Sequence, residues 1–269
     1  MLINGRSAST IDNYGRAIAQ ISSFYNELPQ NLDEEQITAY LVHCRDENKR
    51  SKTYFKHTVY GLRNLFKLLD FELPVQLPEI KKEKKLPVVL NKSECRRLFK
   101  TPKLLKHRVV LTLTYACGLR SREIVRLKLG DIDLERKQIH IRESKYYKDR
   151  YVTLSDYIAK GLRFYIDAAK PKEWLFEGNS PNGGMSVRGL QWIIRQTVKQ
   201  ADIKKSVTMH TLRHSFATHA IENGQNLLLL KEEMGHGRIE TTLMYLHIAR
   251  VPGDGKFQSP FDTLYESKI

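Results

Sequence analysis

The most informative part of this chain is HTLRHSFATH, residues 210–219. His210 and Arg213 are three residues apart, so they share one face of a helix that begins here. Backbone N–H groups at the start of a helix also favour an anion. The H-x-x-R pattern therefore predicts an anion site, although such a pattern often arises by chance. We expect His214 and His219, on the same helix, to have supporting or packing roles.

Further short motifs stand on both sides of this stretch. In chain order they are GLRSREI at 118–124, ESKYYKD at 143–149, MGH at 234–236 and TTLMYLH at 241–247. Gly118 suits the left-handed position that stops a helix, and Arg120 follows the turn that it forces. Side chains at element ends and tight turns can converge instead of packing. The residues predicted to converge are Arg120, Lys145, His210, Arg213, His236 and Tyr245.

Each of these residues has a simpler explanation when taken alone. A tyrosine such as Tyr245, between Met244 and Leu246, is typical of a packed helix face. A single arginine in so basic a chain is typical of a solvated or phosphate-positioning charge. Tyr146 and Tyr147 flank Lys145 and would compete as nucleophiles, but neither follows the MGH motif. Only the joint pattern favours a reactive site.

Bulk composition favours a polyanionic partner. The 269 residues include 45 lysines and arginines against 30 acidic residues, a formal net charge of +15 with a pI near 9.6. Nucleic acid is the expected partner, and an acidic membrane surface is the competing explanation. The sequence has neither an apolar run long enough to span a membrane nor the apolar core of a signal peptide, so we expect an intracellular protein without a membrane partner. Three scattered cysteines, Cys44, Cys95 and Cys117, are expected to be reduced packing residues.

Periodicity predicts a mainly helical protein with one small sheet. Up to Phe71 the pattern is helical, with one helix capped by Asp33 and another that carries Val59, Leu62, Phe66 and Leu69 inward. A proline-rich linker with four lysines follows. Further on, a helix is expected from Ser121 to Gly130, then three antiparallel strands in IDL, QIHIR and RYVTL. Helices return after Ser186 and continue through the ETTLMYLHIAR segment. The linker lysines are Lys81, Lys82, Lys84 and Lys85.

The ordered motifs closely resemble the tyrosine recombinase family, in particular its bacterial Xer-like and integron-like members. The resemblance is strong from about 108 to 250 and weaker over 1–82. It implies a two-domain DNA clamp with a helical SAM-like core-binding domain at 1–75, a basic linker at 76–88 and a catalytic domain at 89–250. The tail, 251–269, would dock onto a neighbouring protomer. The extra helical insertion of integron integrases is absent between the lysine hairpin and His210.

The resemblance also assigns roles to the site residues. Tyr245 would be the nucleophile that forms a 3′-phosphotyrosyl bond, and Arg120 and Arg213 would hold the phosphate oxygens. His210 would be the acid/base near the nucleophile, and His236 would donate a hydrogen bond to the phosphate. Two further residues complete the set: Lys145, in preference to Lys148, would protonate the departing 5′-oxygen, and Glu123 would orient the basic groups.

The implied activity is site-specific recombination: cleavage and rejoining of DNA with strand exchange through a Holliday junction. The expected partners are double-stranded recombination sites and a homotetramer on two sites, in the cytoplasm and at the nucleoid of a bacterium. No cofactor, metal or nucleotide is expected, since transesterification conserves the phosphodiester bond energy and the sequence lacks HExxH and GxxxxGK[ST] motifs. Two alternatives stay open at this point, a type IB topoisomerase-like nicking activity and a non-catalytic DNA-binding regulator.

Overall fold

The chain divides into two compact units, Met1–Lys84 and Lys85–Ile269. The computed structural model describes residues 8–46, 52–72, 74, 76–78, 86–142, 149–178 and 183–249. The four linker lysines and the tail at 251–269 lie outside the described residues, so the docking role of the tail stays a prediction. Within the described ranges, every helix is too short or too polar to span a bilayer.

Three helices build the first unit: α1 (Ala8–Tyr25), α2 (Glu34–Asp46) and α3 (Lys52–Leu69). The expected cap of α2 is confirmed, because the Asp33 carboxylate accepts the Gln36 N–H at 2.8 Å and the Gln36 side chain accepts the Asp33 N–H at 3.0 Å. The prediction for Leu69 is wrong, since it is 41% exposed at the last residue of α3. The chain leaves the helix there through Asp70, whose φ is 57°. The buried cluster of this unit includes Ile21, Ile37, Tyr40, Cys44, Val59, Leu62 and Phe66.

Eight helices make up most of the described second unit. They are α4 (Lys92–Lys100), α5 (Leu105–Ala116), α6 (Ser121–Val125), α7 (Asp156–Ala169), α8 (Val187–Gln200), α9 (Met209–Glu222), α10 (Leu227–Met234) and α11 (Glu240–Leu243). Helices α5, α7, α8 and α9 pack around one core with the sheet. Its members include Val110, Leu111, Ile139, Val152, Leu162, Tyr165, Leu190, Ile193 and Leu212. The three cysteines are free and buried, as expected.

The sheet consists of three short antiparallel strands in the order β1 (Ile132–Asp133), β2 (Gln138–Ile141) and β3 (Arg150–Thr153). Ile139 pairs with Ile132 on one side and with Val152 on the other. Alternate residues of β2, Ile139 and Ile141, are buried, which is the period-2 pattern of a sheet with one face on the core. The predicted fold class, mainly α with a three-stranded antiparallel sheet, is confirmed.

Four local features differ from the prediction. Helix α6 ends at Val125 and is followed by a 3-10 turn, so it does not reach Gly130. Its N-cap is Arg120, not Ser121, because the Glu123 carboxylate accepts the Arg120 N–H at 2.8 Å. Helix α7 was not predicted, although Ser155 caps it. The last segment is helical only to Leu243, and Tyr245 lies in the turns that follow.

Candidate active site

Three arginines from different elements bind the C-terminal end of α10. Arg150 Nε donates to the carbonyl of Glu233 at 2.9 Å, Arg213 Nη2 to that of Met234 at 2.6 Å, and Arg120 Nη2 to that of Gly235 at 2.7 Å. The last carbonyls of a helix have no partner within the helix and carry partial negative charge. Three successive carbonyls are therefore satisfied by three cations, which fixes the guanidiniums beside the turn into His236.

Gly118 ends α5 and brings Arg213 into the same cluster. Arg213 Nη1 donates to the Gly118 carbonyl at 2.5 Å. Gly118 has a φ of +57°, and a Cβ there would lie 2.5 Å from a ring atom of Phe216. The backbone thus needs glycine, both for its left-handed conformation and for the close approach of α9. The predicted helix stop at Gly118 is confirmed.

Glu123 is a buried carboxylate shared by Arg120 and Arg150. Arg150 Nη1 and Nη2 each donate to one carboxylate oxygen at 2.9 Å, and Arg120 Nη1 donates at 2.7 Å. Burial favours the neutral acid, but the hydrogen bonds and charge of Arg150, with a smaller contribution from Arg120, hold the pKa of Glu123 at about 2. The carboxylate is therefore ionised at neutral pH and orients both guanidiniums, in line with the supporting role expected for Glu123.

Tyr245 is buried, with 2% of its surface exposed. Its hydroxyl lies 2.9 Å from Nδ1 of His214 on α9. Desolvation raises the pKa of Tyr245, whereas the positive charges of Arg213 and Arg120 act in the opposite direction. The hydroxyl is therefore neutral at physiological pH and lies within the electrostatic reach of both arginines.

His210 and His214 are one helical turn apart on α9 but have different surroundings. His210 is exposed at the helix start, while His214 is partly buried, and their ring centroids are 6.2 Å apart. Desolvation, His210 and Arg213 lower the pKa of His214 to about 4. Partial desolvation, Arg213 and Arg120 also lower the pKa of His210. His214, and not His210, is the histidine that contacts the Tyr245 hydroxyl.

His236 follows the left-handed turn at Gly235 and also contacts Tyr245. Its Nδ1 lies 2.9 Å from the Thr242 hydroxyl, and its ring stacks on that of Tyr245 with centroids 6.3 Å apart and planes at 16°. Desolvation and the charges of Arg213, Arg120 and Arg150 lower its pKa to about 3. His236 is therefore a neutral ring held between Thr242 and Tyr245.

The structure brings five of the predicted residues into one cluster, namely Arg120, Glu123, Arg213, His236 and Tyr245. His210 lies at the edge of this cluster, and Lys145 lies outside the described residues together with the rest of 143–148. Arg150 was missed, and His214, which was expected to have a supporting or packing role, is the histidine that contacts the Tyr245 hydroxyl. The spacing of His214, four residues after His210, was a usable signal, whereas Arg150 had no signal beyond its charge.

Comparisons with known proteins agree with this architecture. Residues 88–250 match the profile described as the phage integrase family, and residues 1–72 match the one described as phage integrase, N-terminal SAM-like domain. The tyrosine recombinase XerD of Staphylococcus epidermidis is 33% identical over 269 aligned residues, covering 91% of this chain and 90% of that protein. XerD of Listeria innocua is 30% identical over 271, with 92% and 90% covered.

Solved structures have the same fold. The crystal structure of XerA recombinase is 28% identical, covers 92% of this chain and 90% of its own, and superposes with a TM-score of 0.57. The XerH site-specific recombinase bound to difH substrate, in a pre-cleavage complex, is 22% identical with a TM-score of 0.73 over 87% of this chain and 74% of that chain. At that identity the likeness shows the fold alone.

Proposed function

This chain belongs to the phage integrase family of site-specific tyrosine recombinases, and from that premise we propose that Tyr245 is its nucleophile. The Tyr245 oxygen attacks the scissile phosphorus, the bond from phosphorus to the 5′-oxygen breaks, and a 3′-phosphotyrosyl link and a free 5′-hydroxyl result. Strand exchange then follows through a Holliday junction. The observation that carries the assignment is the Tyr245 hydroxyl held against a neutral histidine, within reach of the charges of Arg120 and Arg213.

The chemistry requires positive charge near this hydroxyl. A phenol of pKa about 10 is almost wholly neutral at pH 7, and forming its anion there costs about 4 kcal/mol. Fixed guanidiniums reduce this cost and stabilise the charge that develops on the phosphate oxygens. We assign that role to Arg120 and Arg213. Each has two N–H donors bound within the described part of the chain and five in total, so donors remain for a phosphate.

The remaining roles follow the family pattern residue by residue. His210, the acid/base near the nucleophile in the family pattern, is exposed at the start of α9, where a phosphate can lie beside the helix N-terminus. His236 would donate to a non-bridging oxygen through Nε2, since its Nδ1 faces Thr242. Lys145 would protonate the departing 5′-oxygen, and Glu123 would hold the Arg120 guanidinium. Removal of one well-placed donor should cost about 3 to 4 kcal/mol of transition-state stabilisation.

Double-stranded DNA is the proposed partner, in agreement with the formal charge of +15 and with the solved complex of the XerH site-specific recombinase bound to difH substrate. In this proposal residues 1–75 bind DNA as a core-binding domain, 76–88 form the basic linker and 89–250 form the catalytic domain. The tail at 251–269 docks onto a neighbour, so that four copies assemble cyclically on two sites. The reaction would take place at the bacterial nucleoid, in the cytoplasm.

A nicked suicide duplex tests the assignment of the nucleophile. Loss of the short strand beyond the cut traps the covalent adduct, which a denaturing gel resolves. Tyr245→Phe should bind the duplex and form no adduct. Tyr115→Phe is the matched control, because the Tyr115 hydroxyl also contacts a histidine of α9, His219, at 2.8 Å. An adduct of wild-type yield in Tyr245→Phe would refute the assignment, and no adduct in the wild type would favour a DNA-binding regulator.

A further inference from the structure

His214 has a contact that the family pattern of roles does not use. Its Nδ1 lies 2.9 Å from the Tyr245 hydroxyl oxygen, and the two ring centroids are 5.7 Å apart. His210, which the family pattern makes the acid/base near the nucleophile, is exposed one turn earlier. The group in hydrogen-bonding contact with the reacting oxygen is therefore His214.

We propose that His214 accepts the proton of Tyr245 as the phenol attacks, and returns it when the strand is rejoined. This inference rests on Tyr245 as the nucleophile. In the forward step the Oη–H bond of Tyr245 breaks and the proton moves to Nδ1 of His214, while the Oη–P bond forms and the bond from phosphorus to the 5′-oxygen breaks. The 5′-oxygen takes its proton separately, from Lys145 in the proposed function. On rejoining, each proton returns to its source.

The surroundings of His214 suit a proton acceptor. A neutral imidazole with its proton on Nε2 presents a free lone pair at Nδ1, which is the nitrogen that faces Tyr245. The ring is kept neutral by desolvation and by the positive charge of Arg213, with the pKa at about 4. Among the described residues, the ionisable groups around it include His210 and Arg213 on its own helix, and Tyr245 and His236 on the chain after α10.

Because its pKa is about 4, His214 can accept the Tyr245 proton at neutral pH only when the charge around it changes. The scissile phosphate supplies a negative charge beside Arg120 and Arg213, and an anion at that point favours protonated imidazole. Substrate binding therefore raises the proton affinity of His214 at the moment when Tyr245 needs an acceptor. In the DNA-free protein the same ring only holds the phenol in place.

The same helix provides a matched control pair. His219, five residues after His214, places its Nδ1 2.8 Å from the Tyr115 hydroxyl and is buried, whereas His214 is partly buried. The two pairs share residue types, helix and hydrogen-bond geometry, but only one includes Tyr245. Loss of a histidine–tyrosine hydrogen bond on α9 can thus be separated from loss of a proton acceptor.

The test measures single-turnover adduct formation by the full-length protein on the suicide duplex, at saturating enzyme. His214→Asn keeps a hydrogen-bond acceptor near the position of Nδ1 but cannot take the proton, and His214→Ala removes both. We expect each to react at least ~100-fold more slowly than wild type, and His219→Asn to stay within about threefold. Rejoining of a preformed adduct by an added 5′-hydroxyl strand should slow by a similar factor, since the same proton must return.

A substrate with sulfur in place of the bridging 5′-oxygen separates the two proton transfers. A thiolate leaves without protonation. With this substrate we therefore expect Lys145→Ala to recover its rate of adduct formation, and His214→Asn to remain slow. The role of His214 would be overturned if the sulfur substrate rescued His214→Asn, or if that variant reacted at the wild-type rate while Tyr245→Phe remained inactive. Either result would leave the nucleophile assignment intact. Thermal unfolding and DNA binding verify the fold of each variant, and if His214→Ala does not fold, His214→Asn decides the question.

Discussion

Arg150 binds both carboxylate oxygens of Glu123, at 2.9 Å each. The pair joins the first residue of β3 to the first turn of α6, and the same guanidinium reaches the carbonyl of Glu233 at the end of α10. Both side chains are largely buried, with 10% and 7% exposed. The contact therefore ties three elements of the site together and holds the carboxylate that Arg120 also binds.

Removal of the Arg150 side chain should destabilise the second unit. Arg150→Ala leaves the buried Glu123 carboxylate with Arg120 as its remaining described cation, and loss of one partner of a buried ion pair costs about 3 kcal/mol or more. Urea unfolding measures the change. Lys204→Ala is the control, since its ion pair with Asp202 is exposed to solvent and should contribute little to stability. Equal effects of the two substitutions would contradict the buried role of Arg150.

The ionisation of Glu123 should make folding acid-sensitive. Its pKa falls from 4.5 to about 2 in the folded protein, so the unfolded chain binds a proton more readily between these values. The stabilisation is fully present above pH ~4.5 and is lost as the pH falls through about 2. Urea midpoints measured from pH 6 to 2 should decline less steeply for Glu123→Gln than for wild type. Parallel curves would show that the carboxylate is not stabilised by its arginines.

His214 and His236 should remain neutral in the folded protein well below ordinary histidine pKa values. Their pKa values are about 4 and about 3, because desolvation and nearby arginines disfavour the charged rings. The unfolded chain protonates both near pH 6.5, so their contribution to stability is present above pH ~6.5 and declines as the pH falls toward 4 and 3. Nitrogen-15 NMR of the imidazoles reports this directly. A midpoint above pH 6 for either ring would contradict the prediction.

Gly118→Ala should disturb the site through the backbone. A non-glycine residue at φ +57° costs about 1 to 2 kcal/mol, and the added Cβ would also press on the Phe216 ring. We expect a loss of about 2 kcal/mol or more in urea unfolding, together with slower adduct formation because Arg213 binds the Gly118 carbonyl.

Gly161→Ala is the matched control for this substitution. Gly161 lies inside α7, and a Cβ there meets no atom within 4 Å. The change should be neutral or should stabilise by up to about 1 kcal/mol, as alanine is the better helix former. Equal destabilisation by the two alanines would exclude a special role for the Gly118 backbone.

The last prediction concerns the tail, residues 251–269. Deletion of residues 251–269 should leave adduct formation on a single suicide duplex unchanged. It should weaken assembly on paired sites, because Phe257 and Phe261, the aromatic residues expected to dock onto a neighbour, are removed. Native gel shift and light scattering with paired sites measure the assembly. Unchanged synapsis in the truncated protein would argue against a docking role.

Local signals in the sequence were enough for much of the fold. The Asp33 cap, the Gly118 stop and the alternating residues of β2 each depend on neighbours within a few positions, and the structure confirms them. Helix α7 was missed although its signals were equally local, a cap at Ser155 followed by apolar Ile158 and Leu162. The sequence of α7 therefore carries the same kind of local signal as the helices that were predicted.

The partners within the site depend on distant chain segments and could not be derived in the same way. His210 and His214 share a helix face, but which of them reaches Tyr245 depends on how the chain from 236 to 245 returns across α9. Arg150 is one cation among 45 lysines and arginines, and its partners lie 27 and 83 residues away. The helix expected around Tyr245 ends at Leu243, and Tyr245 packs beside His214 and His236, which are contacts that no local pattern predicts.

Arg120, Arg150 and Arg213 neutralise consecutive carbonyls at one helix end, so they serve the fold whether or not DNA is ever cut. A descendant in which Tyr245 had been replaced would still use all three arginines to satisfy these carbonyls, so selection for stability alone favours keeping them. Surveys of related genomes that infer activity from retained arginines would therefore count inactive copies as functional. Tyr245 and the histidine in contact with it are the more informative positions for such a survey.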